Sequence, residues 1–224
     1  MPLHFTRSAF ARVFAQRCFY LFFALLLLLV AVPFLGQTVG GRIVANGINL
    51  FILLAAIAAV GRSMGSFLVG VLLALPTIAF QLLGFSLDET RYLAWGWMFG
   101  AAFYFTTIAY LLRYVFSPEV MSVDKLYGAA SAYLMLGLLW LYFYLIADYL
   151  FPGSFAIGGT VAKLGASDLI YFTFTVLTTT GFGDVTPVLP LARSLVTLEQ
   201  LSGTLFIAIL IARLAGIYPA KSGA

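Results

Sequence analysis

Residues 178–184 read T-T-T-G-F-G-D, and this stretch lies between two long apolar segments in the last quarter of the chain. The preceding residues 167–177 are too polar and too few to cross a bilayer as a helix. Ser167 is a favourable N-cap, and Asp168 falls in the first turn, where the helix dipole favours an acid. The pattern predicts a half-length helix that enters the membrane, followed by a non-helical return through residues 178–184.

The return segment has the residues needed to hold a dehydrated cation. Stacked rings of backbone carbonyls can replace the hydration shell of K⁺ when successive carbonyls point to one side. That arrangement needs alternating right- and left-handed backbone conformations, and glycine adopts the latter easily, as Gly181 and Gly183 could here. Thr179 would add a ring of hydroxyls at the inner end. Asp184 would place carboxylates at the outer mouth and concentrate cations there.

The composition of the whole chain indicates a membrane protein. Of its 224 residues 63% are hydrophobic and 9% are charged, and the mean hydropathy is +1.07. So few charged residues cannot cover a soluble protein of this size. The one cysteine, Cys18, cannot form an intrachain disulfide, and the one histidine, His4, argues against a His-based metal site. We expect no enzymatic activity, no cofactor and no nucleic-acid partner.

Apolar runs predict six membrane-spanning helices in addition to the half-length helix. Their expected bounds are residues 18–35, 43–60, 67–84, 92–112, 126–150 and 191–215. The first run of about 18 residues contains several aromatic residues and no A-x-A site follows it, so we favour a spanning helix over a cleaved signal peptide. The expected fold class is an all-α membrane protein with six transmembrane helices, a re-entrant pore helix and a selectivity filter.

These elements divide the chain into five parts. We expect a cytoplasmic N-terminal segment (1–17), a four-helix transmembrane domain (18–116), a linker (117–124), a pore domain (125–217) and a short cytoplasmic tail (218–224). The linker begins at Ser117-Pro118 because proline does not continue a helix.

The distribution of basic residues predicts the orientation in the membrane. Eight of the 12 Lys and Arg residues fall on the side of the N-terminus: Arg7, Arg12, Arg17, Arg62, Arg113, Lys125, Arg213 and Lys221. By the positive-inside rule that side is the cytoplasm. We therefore expect a multi-pass protein of the plasma membrane with both termini in the cytoplasm.

The stretch from Thr178 to Asp184, set between two spanning helices, resembles the filter signature of the potassium channels, whose usual form is T-V-G-Y-G-D. The resemblance is specific over residues 167–215, and the chain as a whole is similar in layout to prokaryotic channels with six transmembrane helices. It implies a homotetramer in the lipid bilayer with K⁺ as the permeant ligand. The filter residues it implies are Thr179, Thr180, Gly181, Phe182 and Gly183, with K⁺ bound at the first four.

Two residues depart from that signature. Phe182 stands where tyrosine is usual, so the phenol's hydrogen bond to the pore helix is missing, although some potassium channels also carry G-F-G. Thr180 replaces valine or isoleucine and places a hydroxyl where the family packs an apolar side chain. Two alternatives stay open: a weakly selective monovalent cation channel, and a transporter of the potassium-uptake type, which carries four pore loops in one chain.

Other residues are candidates for supporting or gating the filter. We expect Thr175, Thr178 and Glu199 to support it from behind, with Glu199, the one acid inside a predicted span, hydrogen-bonded to a threonine such as Thr175 or Thr180. The alternative is that Glu199 faces the cavity and attracts cations. Gly203 lies where the potassium-channel pattern places a gating hinge; the alternative is a small residue that allows close helix packing.

The fourth predicted span has no charged residue between Tyr92 and Leu112. A voltage sensor moves several arginines through the field, at about 2.3 kcal/mol per charge per 100 mV. The first four spans are sensor-like in layout only, so we expect no gating by a conventional voltage sensor. The sequence carries no sign of what opens the channel or of auxiliary subunits.

Overall fold

A computed structural model describes residues 17–35, 39–61, 63–118 and 122–217. Seven helices occupy these ranges: α1 Arg17–Leu35, α2 Val39–Val60, α3 Met64–Leu87, α4 Thr90–Val115, α5 Val123–Leu150, α6 Ala166–Leu177 and α7 Pro190–Ile217. The same ranges contain three short strands: β1 Phe155–Ile157, β2 Thr160–Val161 and β3 Val185–Pro187. The predicted tail at 218–224 and the N-terminal segment, apart from Arg17, lie outside the described residues.

Five of the described helices are long and apolar enough to cross a membrane, namely α1, α3, α4, α5 and α7. α2 has 22 residues, of which Asn46–Val60 form a shorter apolar stretch. α6 has 12 residues and is too short to cross. Helices thus occupy all seven stretches predicted to be helical, and the chain is a multi-pass membrane protein.

At one end of the molecule, polar contacts join helices that are distant in sequence. The Cys18 N–H donates to Asp124 Oδ1 at 3.0 Å, which joins the beginning of α1 to the beginning of α5. At the same end Arg213 Nη2 donates to the carbonyl oxygen of Phe116 at 3.3 Å, which joins α7 to the end of α4. These contacts agree with helices that run alternately up and down.

α5 lies at the centre of the molecule and contacts α1, α4, α6 and α7. In its apolar stretch 61% of the residues are buried within the chain, whereas in that of α7 only 11% are. Close packing of α4 on α5 depends on Gly100, where an added Cβ would lie 2.9 Å from the ring of Tyr142. α7 is left with a large apolar surface that a single chain does not cover.

A three-stranded antiparallel sheet, in the order β2-β1-β3, was not predicted from the sequence. Ala156 at its centre pairs with Val161 on one side and Thr186 on the other. Strands of two or three residues are too short to show a period of two, so they leave no pattern to read. The sheet places the segment that follows α5 beside the segment that follows residues 178–184.

Helices α2 to α5 begin two to four residues before the predicted positions, and α6 begins at a different N-cap. The N-cap of α6 is Gly165, not Ser167, because the Gly165 N–H donates to Asp168 Oδ2 at 3.1 Å and the helix starts upstream of the serine. Asp168 does lie in the first turn, as predicted. α5 begins at Val123 rather than near residue 126, since the hydroxyl of Ser122 accepts from the Lys125 N–H and extends the helix into the predicted linker.

Candidate functional site

The backbone of residues 178–184 alternates in handedness. φ is +58° at Thr179, +53° at Gly181 and +80° at Gly183, while Thr180 and Phe182 keep negative φ. Such alternation is the pattern that turns successive carbonyls to one side. The two glycines adopt the conformation expected of them. Thr179 adopts it as well, which is unfavourable for a β-branched residue and had no signal in the sequence.

This segment lies on an open surface of the single chain. All residues from 178 to 184 are exposed, and the side chain of Phe182 is 69% exposed. A Cβ added at Gly181 or Gly183 would meet nothing within 4 Å. A glycine-containing segment beside membrane helices is therefore free to face other copies of the chain or a water-filled axis.

The inner end of the segment is held by the end of α6. The carbonyl oxygen of Thr175 accepts hydrogen bonds from the N–H groups of Thr180, at 2.8 Å, and Gly181, at 3.1 Å. The hydroxyl of Thr178 donates to the carbonyl oxygen of Phe174 at 2.6 Å and lies 3.0 Å from the hydroxyl of Thr180. Thr180 replaces the valine or isoleucine of the usual signature, and its hydroxyl thus has a hydrogen-bond partner.

Glu199 joins α7 to two other helices behind the segment. Its side chain is fully buried, and its carboxyl group shares hydrogen bonds with the hydroxyls of Tyr144 on α5 and Thr173 on α6. The interpretation of Glu199 as a cavity-facing acid is therefore wrong for this chain. Its packing against α6, behind the exposed segment, agrees with the first expectation.

The expected partners of Glu199, Thr175 or Thr180, were wrong. The hydroxyl of Thr175 donates to the carbonyl oxygen of Phe172 at 2.8 Å, within its own helix, and that of Thr180 faces Thr178. Residues two apart on a helix point in nearly opposite directions, so only one face of α6 can meet α7. Thr173 is on that face, and the sequence gives no way to choose between the two faces.

Gly203 lies where α7 crosses the end of α6. A Cβ added there would overlap the carbonyl oxygen of Leu177, the residue directly before the exposed segment. The same carbonyl accepts a hydrogen bond from the hydroxyl of Tyr133 at 3.3 Å. Close packing is thus one role of Gly203, and α7 continues through it without interruption. A hinge at Gly203 stays a prediction.

The outer end of the segment is held by the sheet. The carbonyl oxygen of Asp184 accepts a hydrogen bond from the Gly158 N–H at 2.8 Å, and β3 follows immediately and pairs with β1. The carboxylate of Asp184 accepts from the Val185 N–H at 3.0 Å. Asp184 is exposed at this end, and its role at a pore entrance stays a prediction.

Tyr171 on α6 is a neighbour of the segment that sequence reasoning missed. Its ring stacks on that of Phe182, with centroids 6.3 Å apart and planes at 5°. A phenol is therefore present beside the segment, although it is carried by the helix rather than by residue 182. A lone tyrosine in an aromatic-rich helix gives no signal of this contact.

The oxygen atoms that a cation could use here are backbone carbonyls and threonine hydroxyls. Within the described ranges no three His, Cys, Asp or Glu side chains come together. The C-terminal end of α6, with its partial negative charge, also points toward this region. Neutral oxygen atoms of this kind suit hard cations better than soft transition metals.

Comparison with known protein families identifies the same part of the chain. Residues 130–218 match the family model described as "Ion channel", a stretch that runs from α5 through the exposed segment to the end of α7. No curated protein and no solved structure matches the chain. Fold, site and family match together support an ion-channel function, that is, transport rather than enzymatic chemistry, in a multi-pass membrane protein.

Proposed function

We propose that the chain is one subunit of a potassium-selective channel. Residues Thr179 to Gly183 form the filter, and Asp184 lies at its outer entrance. The observation that carries the proposal is the alternation of positive φ at Thr179, Gly181 and Gly183 in an exposed segment between α6 and α7. Backbone of this kind offers carbonyl oxygens in sequence along one line, as K⁺ selectivity requires.

The channel is proposed to be a homotetramer. Each chain contributes one filter segment, and four are needed to surround an ion on an axis. The exposed face of α7, with Leu198, Leu201 and Leu205 each more than half exposed, supplies apolar surface for neighbouring subunits and for the cavity below the filter. A potassium-uptake transporter would need four such segments in one chain, whereas T-T-T-G-F-G-D occurs once.

Conduction in this proposal is passive. Ions lose water near Asp184, where four carboxylates raise the local concentration of cations. They then occupy successive carbonyl sites and repel one another inward. At the inner end, the hydroxyl of Thr179 and the C-terminal end of α6 stabilise an ion before it enters a water-filled cavity.

The contacts at both ends of the filter favour K⁺ selectivity over the alternative of a weakly selective cation channel. Thr175 holds the inner end through two N–H groups, and Gly158 holds the outer end through the carbonyl of Asp184. Thr180 is paired with Thr178, and Phe182 is stacked on Tyr171. The two departures from the usual signature are therefore each supported by a neighbour.

Gating is proposed to be independent of a conventional voltage sensor, since α4 carries no charge between Tyr92 and Leu112. We further propose a location in the plasma membrane with both termini in the cytoplasm. The polar contacts that join the beginnings of α1 and α5 and the ends of α4 and α7 would then lie on the cytoplasmic side.

The test is K⁺ flux from liposomes that contain the purified full chain. We expect flux that Ba²⁺ blocks and that Gly181→Ala abolishes, because alanine disfavours φ of +53°. Reversal potentials in mixed K⁺ and Na⁺ separate the alternatives: equal permeability would establish the weakly selective channel. Chemical cross-linking should give a ladder that ends at four chains, and any other number would contradict the tetramer.

A further inference from the structure

A cavity of about 620 Å³ lies between the first four helices and the pore-forming part, beside the beginning of α6. Helices α1 to α5 and the beginning of α6 line it, and Asp88 and Lys163 stand at its mouth. Its volume falls within the range of sites for small molecules, roughly 300–1,000 Å³. The proposed conduction path does not use it.

The walls of this cavity are mostly apolar, with a polar strip on one side. Leu28, Leu138 and Leu141 are among the apolar residues that line it. In the polar strip, Asn49 Nδ2 donates to Gln81 Oε1 at 3.0 Å, and Tyr142 also lines the cavity. Apolar walls with a few convergent polar groups are the usual character of ligand sites.

Two polar groups in the strip have no partner in the part of the chain that the structure describes. The side chain of Tyr104 is 1% exposed and lines the cavity, but its hydroxyl makes no hydrogen bond there. The amide of Asn46, which is half-buried, lines the same cavity and likewise makes none. Buried polar groups are nearly always paired, so the hydroxyl of Tyr104 points to a hydrogen-bonding molecule inside the cavity, and Asn46 is a second polar group available in the same lining.

We propose that this cavity binds a small uncharged amphiphile. A hydroxyl or carbonyl group of the ligand bonds to Tyr104 and Asn46, and its apolar body lies along the leucines. The ligand is uncharged because, among the described lining residues, the charged ones are Asp88 and Lys163, both at the mouth. A charged group carried to the depth of Tyr104 would have no counter-ion.

The position of the cavity allows such a ligand to act on the filter indirectly, through α6. Ser167 and Ile170, in the first turns of α6, form part of its wall, and α6 carries the residues that hold the filter. A bound amphiphile therefore contacts the pore helix from behind. Binding itself does not depend on the proposed channel activity and is measured separately from it.

Tryptophan fluorescence offers a direct binding test on the full chain in detergent micelles. Trp97 lines the cavity, and it precedes Tyr104 by seven residues, about 10 Å along α4. The probe is 8-bromo-1-octanol, whose bromine quenches tryptophan on contact and whose chain spans a similar distance. The matched probe is 1-bromooctane, which lacks the hydroxyl.

We expect saturable quenching by 8-bromo-1-octanol, with an affinity about three- to tenfold above that of 1-bromooctane, the range expected for one or two neutral hydrogen bonds. Trp97→Phe should remove the saturable part. Tyr104→Phe should abolish the difference between the probes, whereas Tyr110→Phe, on the same helix but outside the lining, should leave it unchanged.

Quenching that rises linearly and alike for both probes would overturn the proposal, since it would mean partition into the micelle only. The comparison of the two probes on the unmodified chain needs no variant, so it decides the question even where Tyr104→Phe fails to fold. A saturable site that survives Tyr104→Phe with the same preference for the alcohol would also overturn it.

Discussion

The hydroxyl of Thr173 on α6 shares a hydrogen bond with the buried carboxyl of Glu199 on α7. The same hydroxyl lies 3.0 Å from the carbonyl oxygen of Gly137 on α5, and it carries one proton. Both contacts are hydrogen bonds when Glu199 is protonated and donates to Thr173, which then donates to Gly137. A neutral acid also avoids burying a charge without a counter-ion. We therefore expect the carboxyl group of Glu199 to be protonated, and thus uncharged, and to link α5, α6 and α7 through hydrogen bonds.

Glu199→Gln should preserve this link, because its amide can donate to Thr173 and accept from Tyr144. We expect the free energy of unfolding in mixed micelles to stay within about 1 kcal/mol of the wild type, with K⁺ flux retained. Glu199→Leu leaves the Tyr144 hydroxyl without an acceptor and should cost about 1–3 kcal/mol. Equal damage from both substitutions would contradict a neutral Glu199.

Gly203→Ala should destabilise the protein, because the added Cβ overlaps the carbonyl oxygen of Leu177. Separating α7 from α6 should cost about 1–3 kcal/mol and reduce K⁺ flux. The matched control is Gly47→Ala on α2, where an added Cβ meets nothing within 4 Å. Alanine there should be neutral or stabilising, by up to about 1 kcal/mol.

A result in which Gly203→Ala folds as stably as Gly47→Ala but lowers flux would mean that bending, not packing, is the role of this glycine. Denaturant titration followed by flux on the same preparations separates these outcomes.

The backbone alternation predicts opposite effects of glycine at adjacent filter positions. At Thr179, with φ of +58°, glycine should be more stable than alanine by about 1 kcal/mol, because only alanine is disfavoured in the left-handed region. At Thr180, which has negative φ, alanine should be the more stable. Thr179→Gly and Thr179→Ala should both lower K⁺ flux because they remove the hydroxyl.

The free energies of unfolding of the four single variants provide the check. A glycine-minus-alanine difference of the same sign at both positions would show that the backbone does not alternate as described.

The outer sheet should matter for selectivity through one hydrogen bond. Gly158→Pro removes the N–H that donates to the Asp184 carbonyl, whereas Gly159→Pro disturbs the same turn without touching Asp184. Both glycines have positive φ, +54° and +83°, so proline should destabilise the turn in either case. We expect the K⁺ to Na⁺ permeability ratio to fall markedly further with Gly158→Pro. Equal permeability ratios in the two variants would mean that the sheet does not support selectivity.

Much of the fold was predictable because the thickness of the membrane sets the length of each spanning helix. A bilayer requires about 20 apolar residues per helix, so the apolar runs predicted where helices lie, to within a few residues. The half-length helix followed from the same argument, and Gly181 and Gly183 predicted where φ is positive. Polar contacts were less predictable. Asn49 on α2 donates to Gln81 on α3, a pairing that depends on how the two helices rotate against each other.

The wrong predictions concern contacts for which the sequence offers several similar residues and only the packing of the helices selects one. Thr173 and Thr175 are both buried threonines on one helix, and only the rotation of α6 against α7 decides which one meets Glu199. The sheet formed by β1, β2 and β3 depends on strands that are brought together by the return of the chain. Strands this short have no pattern of their own.

The sequence by itself determined that this is a membrane protein with a glycine-containing return segment, since apolar length and backbone freedom are local properties of residues. The tertiary structure alone decided what lies behind that segment. It brought Tyr171 against Phe182, Gly158 to Asp184 and Gly203 against Leu177, because contacts between residues distant in the chain depend on how whole helices cross and rotate.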